Sequence, residues 1–169
     1  MIILAAVTSC ASSPDSTTSD QSRAKDMAAM MTPEQAKQEV RALYEATRDL
    51  MPGNWFEDTR TWGTCTTASG ESGAYYEFLA QRRDQPLPAD PASIAEQAQR
   101  VWAAHGHPVR IQRDKTLDPP RWILSDPAWL AGTGPDGLLL QFTVGDDYAD
   151  FIANSRCVAG DSVELGLNE

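Results

Sequence analysis

Residues 138–158 place the strongest constraint on what this chain can fold into. Leu138, Leu140, Phe142 and Val144 alternate with more polar neighbours, and Phe151, Ala153, Ser155 and Cys157 alternate in the same way. Successive side chains of a strand point to opposite faces, so each run presents one apolar face and one wetter face. Gly145-Asp146-Asp147 separates the two runs and Gly132–Gly137 precedes the first. Both are hairpin-type connections. The pattern predicts an antiparallel sheet with one side buried. Further strands are predicted over 74–80, over 109–113 with Val109 and Ile111 on one face, and over 121–125 with Trp122 and Leu124.

Two helices accompany the strands. Thr32-Pro33-Glu34-Gln35 is a helix start, with Thr32 as cap, Pro33 at the first helical position and Gln35 placed to complete a capping box. Ala36, Val40, Leu43, Tyr44, Thr47, Leu50 and Met51 then fall on one helical face, and Pro52-Gly53 ends it. A second helix begins at Asp90-Pro91, buries Ile94, Ala98, Val101, Trp102 and His105, and keeps Glu96 and Arg100 as an exposed i,i+4 pair. Gly106 closes it and Pro108 follows. The element order α-β-α-β-β-β-β predicts an α+β fold: two helices on one face of a mostly antiparallel four- to five-stranded sheet, formed by residues 32–169 as a single domain.

The other end of the chain carries an address. Residues 1–7 are all apolar, and Thr8 and Ser9 then precede Cys10. This resembles the end of a bacterial lipoprotein signal peptide, with an aliphatic residue at Val7, small residues at Thr8 and Ser9, and a cysteine whose thiol accepts the lipid. No Lys or Arg precedes Cys10, and the apolar stretch is at the short limit of the roughly 7–15 residues usual for a signal peptide. That departure fits a signal peptide shortened at 1–9; the competing reading is a frayed apolar terminus of a cytosolic protein. Residues 11–22 hold five Ser, two Thr and two Asp and nothing apolar larger than Ala. Such a stretch buries too little surface to offset its ordering entropy. Residues 10–31 are therefore expected to be a lipidated cysteine plus a flexible tether, about 22 residues spanning roughly 26 Å as a coil.

The cysteines agree with this address. An odd count, Cys10, Cys65 and Cys157, leaves one over in an exported protein. Lipidation of Cys10 accounts for it and leaves Cys65 and Cys157 free to bridge in an oxidising compartment. In the chain-entropy model a loop of that length is worth roughly 4.5 kcal/mol. The competing reading is two buried free thiols.

The plan as a whole resembles the LppA-type lipoproteins of mycobacteria and related actinobacteria. The matching residues are Cys10, Pro52-Gly53-Asn54-Trp55, Cys65, Gly106 and Cys157, and the resemblance covers nearly the whole chain. It implies a cell-envelope lipoprotein with a Cys65–Cys157 bridge and carries no catalytic residues.

Chemistry-bearing motifs are few. Gly132-Thr133-Gly134-Pro135-Asp136-Gly137 matches the dinucleotide fingerprint in letters only, because a strand follows where a helix is needed. Gly70-Glu71-Ser72-Gly73 resembles a nucleophile elbow, but the final glycine position is Ala74. His105 and His107 sit at a helix end, where an imidazole can satisfy terminal carbonyls. Asp146, Asp147 and Asp150 read as a solvated hairpin, with no calcium loop around them. No cysteine or histidine spacing suits zinc, so neither a metal nor a cofactor is expected. Of five tryptophans, Trp102 and Trp122 fall on core faces. Trp55, Trp62 and Trp129 are expected in loops, as candidate contacts for a ligand or partner.

Lys+Arg is 14 against 24 Asp+Glu, a net charge of -10, which argues against nucleic acid as a partner. No apolar run approaches a membrane span. An acidic domain gains nothing from an anionic surface, so attachment to the membrane rests on the lipid at Cys10. The reading is a non-enzymatic binding or interaction module, lipid-anchored on the extracytoplasmic face of the cell membrane, contacting an apolar ligand or an envelope protein. The alternatives are a carrier of a lipid or other apolar ligand, and a hydrolase.

Overall fold

The fold was obtained as a computed structural model that describes residues 22–23, 25–28, 30–118 and 120–168. The segment 1–9 and Cys10 lie outside the described residues, as does most of the expected tether. The described part of that tether, between residues 22 and 30, carries helical backbone.

The elements run α1 (Pro33–Arg48), β1 (Trp55–Thr66), β2 (Ser72–Arg82), α2 (Pro91–Ala104), β3 (Gln112–Asp114), β4 (Arg121–Asp126), β5 (Leu139–Val144), β6 (Ala149–Asn154), β7 (Val158–Ala159) and α3 (Ser162–Gly166). The class is α+β. One antiparallel sheet has the order β1-β2-β6-β5-β4-β3, with β7 pairing β2. It has seven strands rather than four or five. The strand missed by periodicity is β1, where Trp62 alone is buried. An edge strand with one wet side needs no clean alternation, and a register shift between Glu57 and Thr59 disturbs what remains. The long run expected over 148–158 breaks into β6 and β7. At the break the Tyr76 amide donates to Ser155 Oγ at 2.8 Å, and Arg156 turns inward.

Both long helices start as their sequences require. The Gln35 amide donates to Thr32 Oγ1 at 3.3 Å and the Thr32 amide to Gln35 Oε1 at 2.9 Å, a complete capping box. The Ser93 amide donates to Asp90 Oδ1 at 3.0 Å. The helices lie on one sheet face around one buried cluster. Val40, Leu43 and Tyr44 of α1 and Ile94, Ala98 and Trp102 of α2 meet Phe78, Phe142 and Phe151 of the sheet. Tyr44 packs against Phe78 at 4.6 Å and Phe151 at 5.5 Å between ring centres. The two helices are also joined by a buried polar relay, in which Trp102 Nε1 donates to Thr47 Oγ1 at 2.9 Å and that hydroxyl donates to the Leu43 carbonyl at 2.7 Å.

Cys65 and Cys157 form a disulfide, with 6.1 Å between their Cα atoms. On β2, Gly73 pairs with Cys65 of β1 on one side and with Ala159 of β7 on the other. The bridge therefore ties the two neighbours of β2 together beside Gly73. A Cβ at Gly73 would stand 2.5 Å from the Val158 carbonyl oxygen and 3.2 Å from Cys157 Sγ, so the close approach needs glycine. Among the described residues no helix is long and apolar enough to cross a membrane.

Candidate functional site

The end of α2 positions the first candidate group. The Gly106 amide donates to the Ala103 carbonyl and the His107 amide to the Trp102 carbonyl, a Schellman motif. It needs a left-handed residue at the turn, and Gly106 supplies φ +90°. The chain is thereby thrown back across the sheet edge. His107 ends up buried, with Nδ1 2.9 Å from Asp126 Oδ2 and Nε2 3.6 Å from Glu39 Oε1. Glu39 comes from α1 and also accepts from Arg156 Nε at 3.2 Å, while Arg156 Nη1 bonds Asp136. Five side chains from five separate segments thus form one chain of contacts. Burial pulls the Arg156 guanidinium down, and the Glu39 and Asp136 carboxylates more than reverse it, so its pKa lies above the ordinary value. Both imidazole nitrogens face carboxylates, so the arrangement holds the ring in place and leaves no ring nitrogen to activate a hydroxyl.

Asp126 carries this network to a cleft of about 440 Å³. One wall is residues 108–112; the other is Ile123, Ser125, Asp126, Ala128 and Trp129. The cleft exists because β3 pairs with β4 only at Gln112–Asp114 and diverges before it. Gln99 Nε2 donates to the Val109 carbonyl at 2.8 Å and draws that segment toward α2. The edge of β4 from Leu124 to Asp126 has no strand beside it on that side among the described residues. Apolar walls from Val109, Ile111, Ile123 and Trp129, with a few polar groups at the end, suit a binding cleft.

The three candidate tryptophans do not converge. Trp55 and Trp62 lie on β1, not in loops. Trp55 Nε1 donates to the Met51 carbonyl at 3.0 Å, its ring meets Tyr44 edge-on at 5.7 Å, and it borders a shallow cleft with Arg48 and Glu57. Trp62 is buried against Tyr76, with 5.4 Å between ring centres, and its rim borders a separate cleft with Pro33 and Leu165. Trp129 alone follows a strand, in the loop after β4, and it is the one that lines the splayed cleft.

The remaining motifs resolve as turns. Gly132–Gly137 leads into β5, with the Gly137 amide donating to the Gly134 carbonyl at 3.0 Å. The Gly145 amide donates to the Tyr148 carbonyl at 3.0 Å and closes the β5–β6 hairpin. His105 is exposed at the end of α2. No group of three or more His, Cys, Asp or Glu suited to a metal occurs among the described residues.

A second cleft, of about 400 Å³, was not foreseen. It is lined by Arg83, Gln85, Arg121, Asp147, Tyr148 and Asp150. These residues come from the end of β2, the start of β4 and the β5–β6 hairpin, so no local spacing announces them.

No family model and no curated protein matches the chain. Among solved structures it is similar to a DUF4853 family protein from Actinomyces odontolyticus ATCC 17982, at 15% identity and a TM-score of 0.39, over 73% of this chain and 67% of that one. A likeness that slight carries neither fold nor activity across.

Proposed function

We propose that this chain is a lipoprotein of the cell envelope, resembling the LppA-type proteins of actinobacteria. It is anchored through Cys10 on the extracytoplasmic face of the cell membrane, and its domain is a non-enzymatic binding or interaction module. The observation that carries the reading is the Cys65–Cys157 disulfide. Disulfides form and persist in oxidising compartments. With that pair made, Cys10 is the one cysteine left over, and it stands where the lipoprotein pattern puts the lipid. The splayed cleft with Trp129 at its wall gives such a module a contact surface, and His107, held between two carboxylates, supports binding over catalysis.

Detergent phase separation tests the anchor. Wild-type protein from an actinobacterial host should enter the detergent-rich phase, and Cys10→Ala should stay in the aqueous phase. Aqueous partitioning of both proteins overturns the proposal.

A further inference from the structure

The second cleft lies at the end of the sheet where β2, the β5–β6 hairpin and the start of β4 meet. Tyr148 forms its floor. The ring lies against Gly145, where a Cβ would stand 2.3 Å from Tyr148 Cε1, so its position is fixed by the absence of a side chain there. Two guanidinium groups, from Arg83 and Arg121, each lie 5.3 Å from the ring centre. In a chain of net charge -10, two cations converging on one ring need a reason.

The two arginines are not equivalent. Arg83 stands 2.9 Å from Asp150 Oδ1, out of line for a hydrogen bond, so that contact is Coulombic. Arg121 makes no hydrogen bond and no ion pair with any described residue, and its Nε is buried without a partner. The Tyr148 hydroxyl is likewise buried and unpartnered, on a side chain only 8% exposed. Buried donors left unmade cost about 1–3 kcal/mol each. Here an unsatisfied guanidinium and an unsatisfied hydroxyl line the same open cleft. The acceptor they lack is an oxyanion, since the guanidinium fork matches a two-oxygen acceptor.

Charge decides which oxyanion. Arg83 and Arg121 are balanced by Asp147 and Asp150 at the same cleft. A dianion would meet a locally neutral site in an acidic protein, and the field of the whole molecule repels it. A monoanion needs only the unpaired Arg121. We propose that this cleft is a binding site for the carboxylate group of a small molecule or chain terminus, held by Arg121 and Tyr148, with Arg83 and Gln85 at its rim. The site lies apart from the Trp129 cleft and does not depend on the lipid anchor, so either proposal can fail without the other.

Titration of the full chain with sodium benzoate, followed by the Arg121 Nε–Hε resonance in NMR, tests this. The expected result is saturable binding with a Kd on the order of millimolar, no saturation with the uncharged isostere benzamide, and weaker binding of inorganic phosphate. Arg121→Gln should weaken benzoate about tenfold or more, the loss of a charge-assisted hydrogen bond. Tyr148→Phe removes only an unpartnered hydroxyl, so it keeps the fold and should weaken benzoate roughly threefold to tenfold. N-acetyl-trialanine, as free acid and as amide, identifies the source. Tighter binding of the acid than of benzoate assigns a peptide terminus, and weaker binding assigns a free carboxylate. Benzoate that fails to saturate by about 100 mM, equal binding of benzamide, tighter binding of phosphate, or unchanged affinity in Tyr148→Phe overturns the proposal.

Discussion

Replacing both disulfide cysteines, as Cys65→Ala/Cys157→Ala, removes a covalent link between positions 92 residues apart. In the chain-entropy model a loop of that length is worth about 4.5 kcal/mol, because the unbridged unfolded chain regains that conformational freedom. For a domain of this size such a loss corresponds to a fall in Tm of roughly 10–20 °C. The loss should not be uniform. β7 pairs with β2 at only two positions, Gly73 with Ala159 and Ala74 with Val158. Residues 158–166, which include β7 and α3, are therefore held largely by the bridge at Cys157. β5 and β6 keep six cross-strand pairs with each other and do not depend on it. Urea unfolding with hydrogen-exchange mass spectrometry reads both effects. The variant should lose about 3–5 kcal/mol, with exchange accelerated first over residues 158–166. A loss below about 1 kcal/mol, or uniform acceleration across β5 and β6, would refute the view of the bridge as the tie between β1 and β7.

Three further outcomes follow from buried polar groups. Arg156→Leu strips the partner from Asp136 and Glu39, two carboxylates held against one guanidinium, and should cost about 3–5 kcal/mol in urea unfolding; a smaller loss than Arg41→Leu, whose guanidinium pairs Glu57 at the more exposed α1–β1 contact, would contradict the network. Thr47→Val keeps the shape but leaves the Trp102 indole N–H without its acceptor inside the core, an expected loss of about 1–3 kcal/mol; unchanged stability would show that the relay between α1 and α2 contributes nothing. Burial, followed by the charge of Glu57, pushes the Tyr44 hydroxyl up to about 12, and burial with Asp150 and Asp147 raises Tyr148 against Arg121 and Arg83. A raised tyrosine pKa means the folded state holds its proton more tightly. That stability is full below the ordinary tyrosine value near 10 and fades as pH rises toward 12, so alkaline titration at the phenolate band should show late-ionising tyrosines, and Tyr44→Phe should flatten the loss.

Much of the fold was legible because its signals are local. Thr32 and Gln35 lie three residues apart and cap one another; Asp90 and Pro91 start α2; Gly145 turns the hairpin between two alternating strands. The strand β1 was not legible, since an edge strand buries little and Trp62 is its one fully packed side chain. Reading Trp55 and Trp62 as loop residues followed from the same cause. The clefts were less legible still. Glu39, His107, Asp126, Asp136 and Arg156 share no spacing, and only the turn at Gly106 and the inward bend after β6 bring them together. Arg121 and Tyr148 look like ordinary polar residues at strand starts until the hairpin sets the ring against Gly145.

The account depends most on the fate of the sulfur at Cys10. Intact-mass and N-terminal peptide mass spectrometry of protein isolated from its native membranes measures that directly. The predicted result is a mature chain that begins at Cys10, carries a diacylglyceryl thioether, and retains the Cys65–Cys157 bridge. A chain whose Cys10 is an unmodified thiol still joined to the residues before it would contradict the account.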